Sequence, residues 1–306
     1  MAEVPTSGIS EKVEILKETA FDDGGVGGAT EFGYITKLGY TTDAHVKANY
    51  STDGQAYPNT LVDGVLDFTG SLNWDLTDGR ELTGILGTLT DAGSGSFSIA
   101  TANTLPSYSF KAIVSSDQNV HGKGMKFSNM KLNASRDSKI TMSGDFVARQ
   151  VIELATSVTP QTPTEKPFVD LDLSVTIDGG TAVDLEDISL SIDRGSIGRR
   201  GIEDTTAGER RLISSIISTK GIVTGSATAI GKKEIFESVL GGSTLTDYRS
   251  NANVVVTIGN GTNTLVFTIP ARLSTTGKDI GAEDDLLVVT FDFIGTTPTV
   301  SGTYTV

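Results

Sequence analysis

The chain has 306 residues, a net charge of −14 and no cysteine. Disulfides and thiolate chemistry are excluded, no apolar run approaches the roughly 20 residues of a membrane helix, and the acidity argues against general affinity for nucleic-acid phosphates. The length suits two domains better than one, since domains cluster at about 100–150 residues.

In chain order, residues 1–10 (MAEVPTSGIS) carry neither a basic nor an apolar stretch of the export type and are expected as a flexible N-terminus. DDGGVGGATEFG (22–33) reads as a flexible loop. YITKL (34–38) is a strand, followed by a long polar segment over 41–60. TGSLNWDLTDGRELTGILG (69–87) then runs from a strand into a short helix: Leu82, Ile85 and Leu86 fall at i, i+3, i+4, and Gly87 supplies the stop. FSIA, YSFKAIV and ITMSGDFVA follow, short and rich in β-branched or aromatic residues, between clusters of Gly, Asn, Asp and Ser. The stretch around 154–167, with three prolines and no periodicity, reads as a linker.

Beyond it the same grammar returns. LDLSVTI and ISLSID are strands, with Asp178-Gly179 and Gly180 between them as a hairpin signal. A second long segment covers 194–211, and TGSATAIGKKEIFESVLGG (224–242) repeats the strand-to-helix phrase with Phe236, Val239 and Leu240 as its stripe and Gly241 as its stop. VVVTI, LVFTI and LLVVTFDFI close the series; in the last, Leu287, Val289, Phe291 and Phe293 share one face. Asp145-Phe146-Val147 aligns with Asp292-Phe293-Ile294, and MKFSNMKLN (125–133) is set against LVFTIPARL (265–273). The expected fold is all-β: two tandem, similar β-sandwich or open-barrel domains at 11–153 and 168–297, each with one short flanking α-helix, a linker at 154–167 and a C-terminal tail at 298–306.

Chemistry is sparse. The two histidines, His45 and His121, stand apart in polar segments and read as solvated loop residues rather than ligands. The acidic clusters lack the register of a calcium loop. GSATAIGKK (225–233) has one residue too many between its glycines for a phosphate loop, and no nucleophile elbow is present. No enzyme, cofactor or metal site is expected. One cluster stands out: Arg194, Arg199, Arg200, Arg210 and Arg211 are half of the chain's ten arginines. They read either as a solvated loop or as a docking arm whose guanidinium groups meet carboxylates of a neighbouring subunit.

The duplicated order of ISLSID, long loop, IVTGSATA, GKKEIFESVLGG and paired strands ending LLVVTFDFIG resembles the major tail tube proteins of long-tailed bacteriophages and related viruses. The resemblance implies a structural virion protein whose neighbours join their sheets into a ring, with rings stacked into a tube that conducts the genome. Since single-domain members build rings of six, a fused pair implies a trimeric ring with pseudo-sixfold symmetry. It implies assembly in the host cytoplasm and residence in the virion tail. The implied partners are the chain itself, tape-measure and tail terminator or tip proteins, and DNA passing through the lumen without specific binding, with no membrane partner. The long segments match the family's extended loop, which makes His45, Lys47, Tyr50 and Tyr57 candidate inter-subunit or inter-ring contacts beside the arginines. The alternative is a non-catalytic two-domain β-sandwich binding module, a virion decoration protein or a carbohydrate-binding adhesin, which requires an aromatic platform; Trp74, the only tryptophan, reads rather as core or interface.

Overall fold

The computed structural model describes residues 12–24, 32–49, 60–62, 64–91, 93–115, 118–153, 158, 163, 165–169, 172–177, 185–200, 212–230, 252–280 and 287–305. Within them the chain is all-β apart from one short helical segment. The strands alternate as their sequences require. Along Thr141–Ala148, Met142, Gly144, Phe146 and Ala148 are buried and the residues between them are not.

The first half contributes β1 (Val13–Lys17), β2 (Tyr34–Asp43), β3 (Lys47–Asn49), β4 (Thr60–Val62), β5 (Asp67–Asp75), β6 (Gly87–Asp91), β7 (Ser96–Thr101), β8 (Tyr108–Ser115), β9 (Gln118–Ser135), β10 (Thr141–Ala148) and β11 (Gln150–Glu153). The second contributes β12 (Leu173–Ile177), β13 (Leu185–Asp193), β14 (Ser196–Arg199), β15 (Ser215–Ser218), β16 (Ile222–Ile230), β17 (Ala252–Gly259), β18 (Thr264–Ile280), β19 (Leu287–Gly295) and β20 (Thr299–Thr303). In the first half the antiparallel ladders run β1–β8–β9–β10–β5–β2. In the second they run β12–β17–β18–β19–β16–β13, which is the same order.

The agreement extends to single residues. Gly70 pairs with Phe146, and Gly225 pairs with Phe293. The register of β10 on β9 slips between Asp145 and Phe146, leaving Ser128 as the extra residue; that of β19 on β18 slips between Thr275 and Leu273, leaving Ser274. A second pair of bulges leaves Thr36 extra on β2 and Glu186 extra on β13. After β2, the side chain of Asp43 accepts the His45 N–H at 2.9 Å; after β13, that of Asp193 accepts the Gly195 N–H at 2.9 Å. Both turn residues lie at positive φ, 41° at His45 and 46° at Gly195. Each turn leads into a two-stranded antiparallel pair, β3 with β4 and β14 with β15.

Three expectations are corrected. The bulges place Met125–Asn133 over Ala271–Asp279, six residues from the stretch set against it by sequence, because LVFTI is the front half of a long strand whose rear half is the counterpart. Asp178-Gly179 lies outside the described residues, and the strands on either side are not a hairpin pair: β12 pairs with β17, while β13 pairs with β9 and β16. Within the segment 298–306, read as a tail, Thr299–Thr303 is a strand inserted between β18 and β7.

The long strands β9 and β18 give each half its depth. The front of β9 pairs with β8 and β11, and its rear pairs with β10 and β13. Aromatic rings from both groups meet between them. Phe110 on β8 lies 5.7 Å from Phe146 on β10, and Phe32 lies 5.2 Å edge-on to Trp74 on β5 and 5.6 Å from Tyr108. The described strands form an open arrangement, not a closed barrel.

The expected helix is present as one 3-10 turn, Arg80–Leu82, running into α1 (Thr83–Leu86). Leu82, Ile85 and Leu86 are buried as their spacing required, and α1 ends at Gly87, whose φ is +126°. Gly84 lies so near β9 that a β-carbon would come within 2.9 Å of Met130 and Phe127. The second helix candidate, 233–242, lies outside the described residues.

Candidate functional site

The feature with the most structural content outside the cores is the joint between the halves. The sheet does not stop at β9: β13 pairs along its outer edge, with Asp193 opposite Asn129, Ile192 opposite Met130, Leu190 opposite Leu132 and Ile188 opposite Ala134. Those last three pairs are all buried and apolar, so the joint is sealed by side-chain packing as well as by its hydrogen-bond ladder. A second ladder closes the other flank, where β20 pairs with β7.

The turn after β13 fixes the register. The N–H groups of Arg194 and Gly195 both donate to the carbonyl of Ser128, at 2.9 and 3.0 Å. Ser128 is the bulge residue of β9, so it carries a carbonyl that the β10 ladder does not use. The β14–β15 hairpin then lies on β9 and β10 of the first half. The Ser196 hydroxyl donates to the Phe127 carbonyl at 2.7 Å, and the Lys126 ammonium donates to the Ile216 carbonyl at 3.2 Å. Burial holds the Lys126 ammonium below its ordinary pKa.

The structure brings three of the sequence candidates to this joint. The Arg194 guanidinium donates to the Ala102 carbonyl of the first half at 2.8 Å. Arg200 reaches the Leu66 carbonyl at 3.1 Å and the Asp67 carboxylate. His45 meets the same carboxylate from the other side, Nε2 to Oδ2 at 2.6 Å. Asp67 therefore gathers a guanidinium from the second half and an imidazole from the first. Arg199 is exposed at the end of β14. Lys47 begins β3, while Tyr50, Tyr57, Arg210 and Arg211 lie outside the described residues.

Two readings of single residues are settled here. His121, expected in a solvated loop, is buried within β9 opposite Lys111, and its pKa is lowered to about 4 by burial and by the charges of Lys123 and Lys111. Trp74 is fully buried, with its indole N–H on the Glu81 carboxylate at 2.8 Å, so it offers no sugar platform. Among the described residues no group of three or more His, Asp or Glu could hold a metal ion, and no helix is long and apolar enough to cross a membrane. Sequence reasoning missed Asp67, Ser128 and Ser274; the shared positions of the bulges and of the turn aspartates Asp43 and Asp193 were the available signal.

A twice-repeated ladder order, a sheet that runs through the middle of the chain and arms that dock on the neighbouring half define a structural building block rather than a binding cleft. The chain belongs to the phage tail tube protein family, whose model matches residues 17–278. It is a structural protein of the virion tail, of a family that self-assembles into a tube. A comparison with curated proteins gives no match.

Proposed function

We propose that the halves at 11–153 and 168–297 act as two wedges of one ring, that three chains close a ring of six wedges, and that stacked rings form the channel through which the genome leaves the particle. The observation carrying this reading is the identical ladder order of the halves, with the sheet continuing from one to the next across β9 and β13. A building block that already contains one such joint and repeats the elements on both sides of it needs only further copies to continue. A net charge of −14 per chain suits a bore along which DNA slides without adhering.

The exposed Arg199, together with Tyr50, Tyr57, Arg210 and Arg211 of the long polar segments, serves as a contact between subunits or rings, and tape-measure and terminator or tip proteins meet the tube inside and at its ends. Native mass spectrometry and electron microscopy of the assembled protein test the reading. Rings of three chains stacked into tubes are expected; rings of six chains, or discrete monomers in particles that carry complete tails, would refute it.

A further inference from the structure

The repeat specifies more than a number of wedges: it specifies which backbone atoms meet between two copies. Among the described residues several strand edges are open, those of β1, β6, β11 and β12 included, and two of the open edges have counterparts in the joint inside the chain. The outer edge of β2 pairs with no described strand, and neither does the outer edge of β18 over Thr275–Ile280. These are the counterparts of β13 and of the rear of β9, the two strands that form the joint inside the chain.

Burial tells the same story. Leu190, Ile188 and Ile192 are sealed in the internal joint, and Leu190 is 1% exposed. Its counterpart on β2, Tyr40, is 37% exposed. Beside the bulge of β18 lies a cavity of about 480 Å3, lined by Pro270, Ala271, Arg272, Ser274, Ile294 and Thr296. In the first half the corresponding seat, around Lys126, Ser128 and Val147, is filled by the β14–β15 hairpin. Ile294 is 48% exposed where Val147 is half-buried. Long unpaired edges invite strand addition, and here the chain itself supplies the pattern for it.

We propose that β2 of one copy pairs antiparallel with β18 of the next, in the register Asp43 to Thr275, Thr42 to Thr276, Tyr40 to Lys278 and Leu38 to Ile280. The register follows from the internal ladder, Asp193 to Asn129 through Ile188 to Ala134, carried across by the matching bulges and turns. The N–H groups of Ala44 and His45 then meet the carbonyl of Ser274, as those of Arg194 and Gly195 meet Ser128. The β3–β4 hairpin, led by the exposed Val46, enters the cavity beside Ile294. The joint between copies differs from the internal one in chemistry. Ile222 stands where Asp67 stands in the first half, so the Arg200–Asp67 contact has no counterpart and cannot recur between copies. Arg200 thus marks the internal joint alone.

This deepens the tube reading and rests on it for the claim that copies assemble. A chain without cysteine allows a clean test. Opposed residues of an antiparallel pair have Cα atoms about 4.5–5.5 Å apart, within disulfide reach, whereas residues displaced by two along the strand lie roughly 7–8 Å away. Full-length chains carrying Thr42→Cys with Thr276→Cys are concentrated under mild oxidation and run on denaturing gels. The expected result is a ladder of covalently joined chains, with the displaced pair Thr42→Cys and Lys278→Cys giving at least tenfold less. Ile192→Cys with Met130→Cys, the same joint inside one chain, serves as the positive control. If that control oxidises while the Thr42/Thr276 pair yields no joined chains, or if the displaced pair joins as well, the register is wrong. A second variant, Tyr40→Asp, is expected to abolish joining while the monomer retains its circular dichroism and unfolding midpoint within a few degrees; unimpaired assembly would overturn the edge assignment. Microscopy of the same samples separates the two readings, since tubes without the cross-link refute the register and joined rings that never stack refute the tube.

Discussion

Phe293 lies across Gly225 so closely that a β-carbon built on the glycine would stand 2.1 Å from the ring's Cζ. The first half contains the same arrangement, with Phe146 over Gly70 at 2.3 Å. This explains the repeated Thr-Gly-Ser and Asp-Phe phrases in the sequence: the glycine vacates the space that the facing strand's ring fills. Gly70→Ala and Gly225→Ala are each expected to destabilise the chain by about 1–3 kcal/mol through overpacking. Partial recovery is expected when the facing phenylalanine is shortened to leucine. Urea denaturation checks both, and an unchanged midpoint in the single variants would be contrary to the packing described.

Arg199 and Arg200 are neighbours with different duties. Arg200 binds Asp67 across the internal joint, so Arg200→Glu is expected to lower the stability of the isolated chain by about 1 kcal/mol, the scale of a partly exposed charge-assisted contact. Arg199 is exposed, so Arg199→Glu should leave that stability alone and impair only assembly into tubes. Denaturation of monomers and sedimentation of assembled material separate the effects. Normal tubes from the Arg199 variant would remove this residue from the contacts between subunits.

His121 gives stability a pH dependence of defined sign. The folded imidazole titrates at about 4, against 6.5 unperturbed. Above pH 6.5 it is neutral in both states and its contribution is constant. As pH falls below 6.5 the unfolded chain takes up the proton first, and stability from this group is lost at no more than about 1.4 kcal/mol per pH unit until the folded form also protonates near 4. His121→Gln is expected to flatten that part of the curve between pH 7 and 4.5; an unaltered slope would assign it to other groups.

Removal of residues 299–306 tests the second ladder between the halves. It strips β20 from between β18 and β7, exposes the side of the core that Val300 covers, and deletes Tyr304. That hydroxyl donates to the Asp91 carboxylate at 2.8–2.9 Å, and its ring stacks under Arg80 at 4.1 Å. A loss of at least about 2 kcal/mol is expected from the apolar burial alone, with new edges that promote aggregation. An equally stable truncated chain would mean that the strand is dispensable.

Much of this was legible in the sequence because it depends on local pattern. Alternation in ITMSGDFVA and at Phe291 and Phe293 fixed strand faces, and Leu82, Ile85, Leu86 and Gly87 fixed the helix and its end. The correspondence of Thr69 with Thr224 and of Phe146 with Phe293 also holds in space. What was hidden depends on partners distant in the chain. Nothing local to Thr299–Thr303 says that β18 and β7 leave a gap for it. β12 pairs with β17, far along the chain, rather than with β13, and a local turn signal does not encode so distant a partner. His121 was misplaced for the same reason: a polar stretch read as loop is the front of an 18-residue strand held between β8 and β11.

The most direct test of the central claim is a cryo-EM reconstruction of the assembled tube in which individual strands are traced. The expected map has six similar wedges per ring contributed by three chains. Sheets run unbroken from β9 to β13 within a chain and from β18 to β2 of the next. A ring of six chains, or wedges meeting through strands other than β2 and β18, would contradict it.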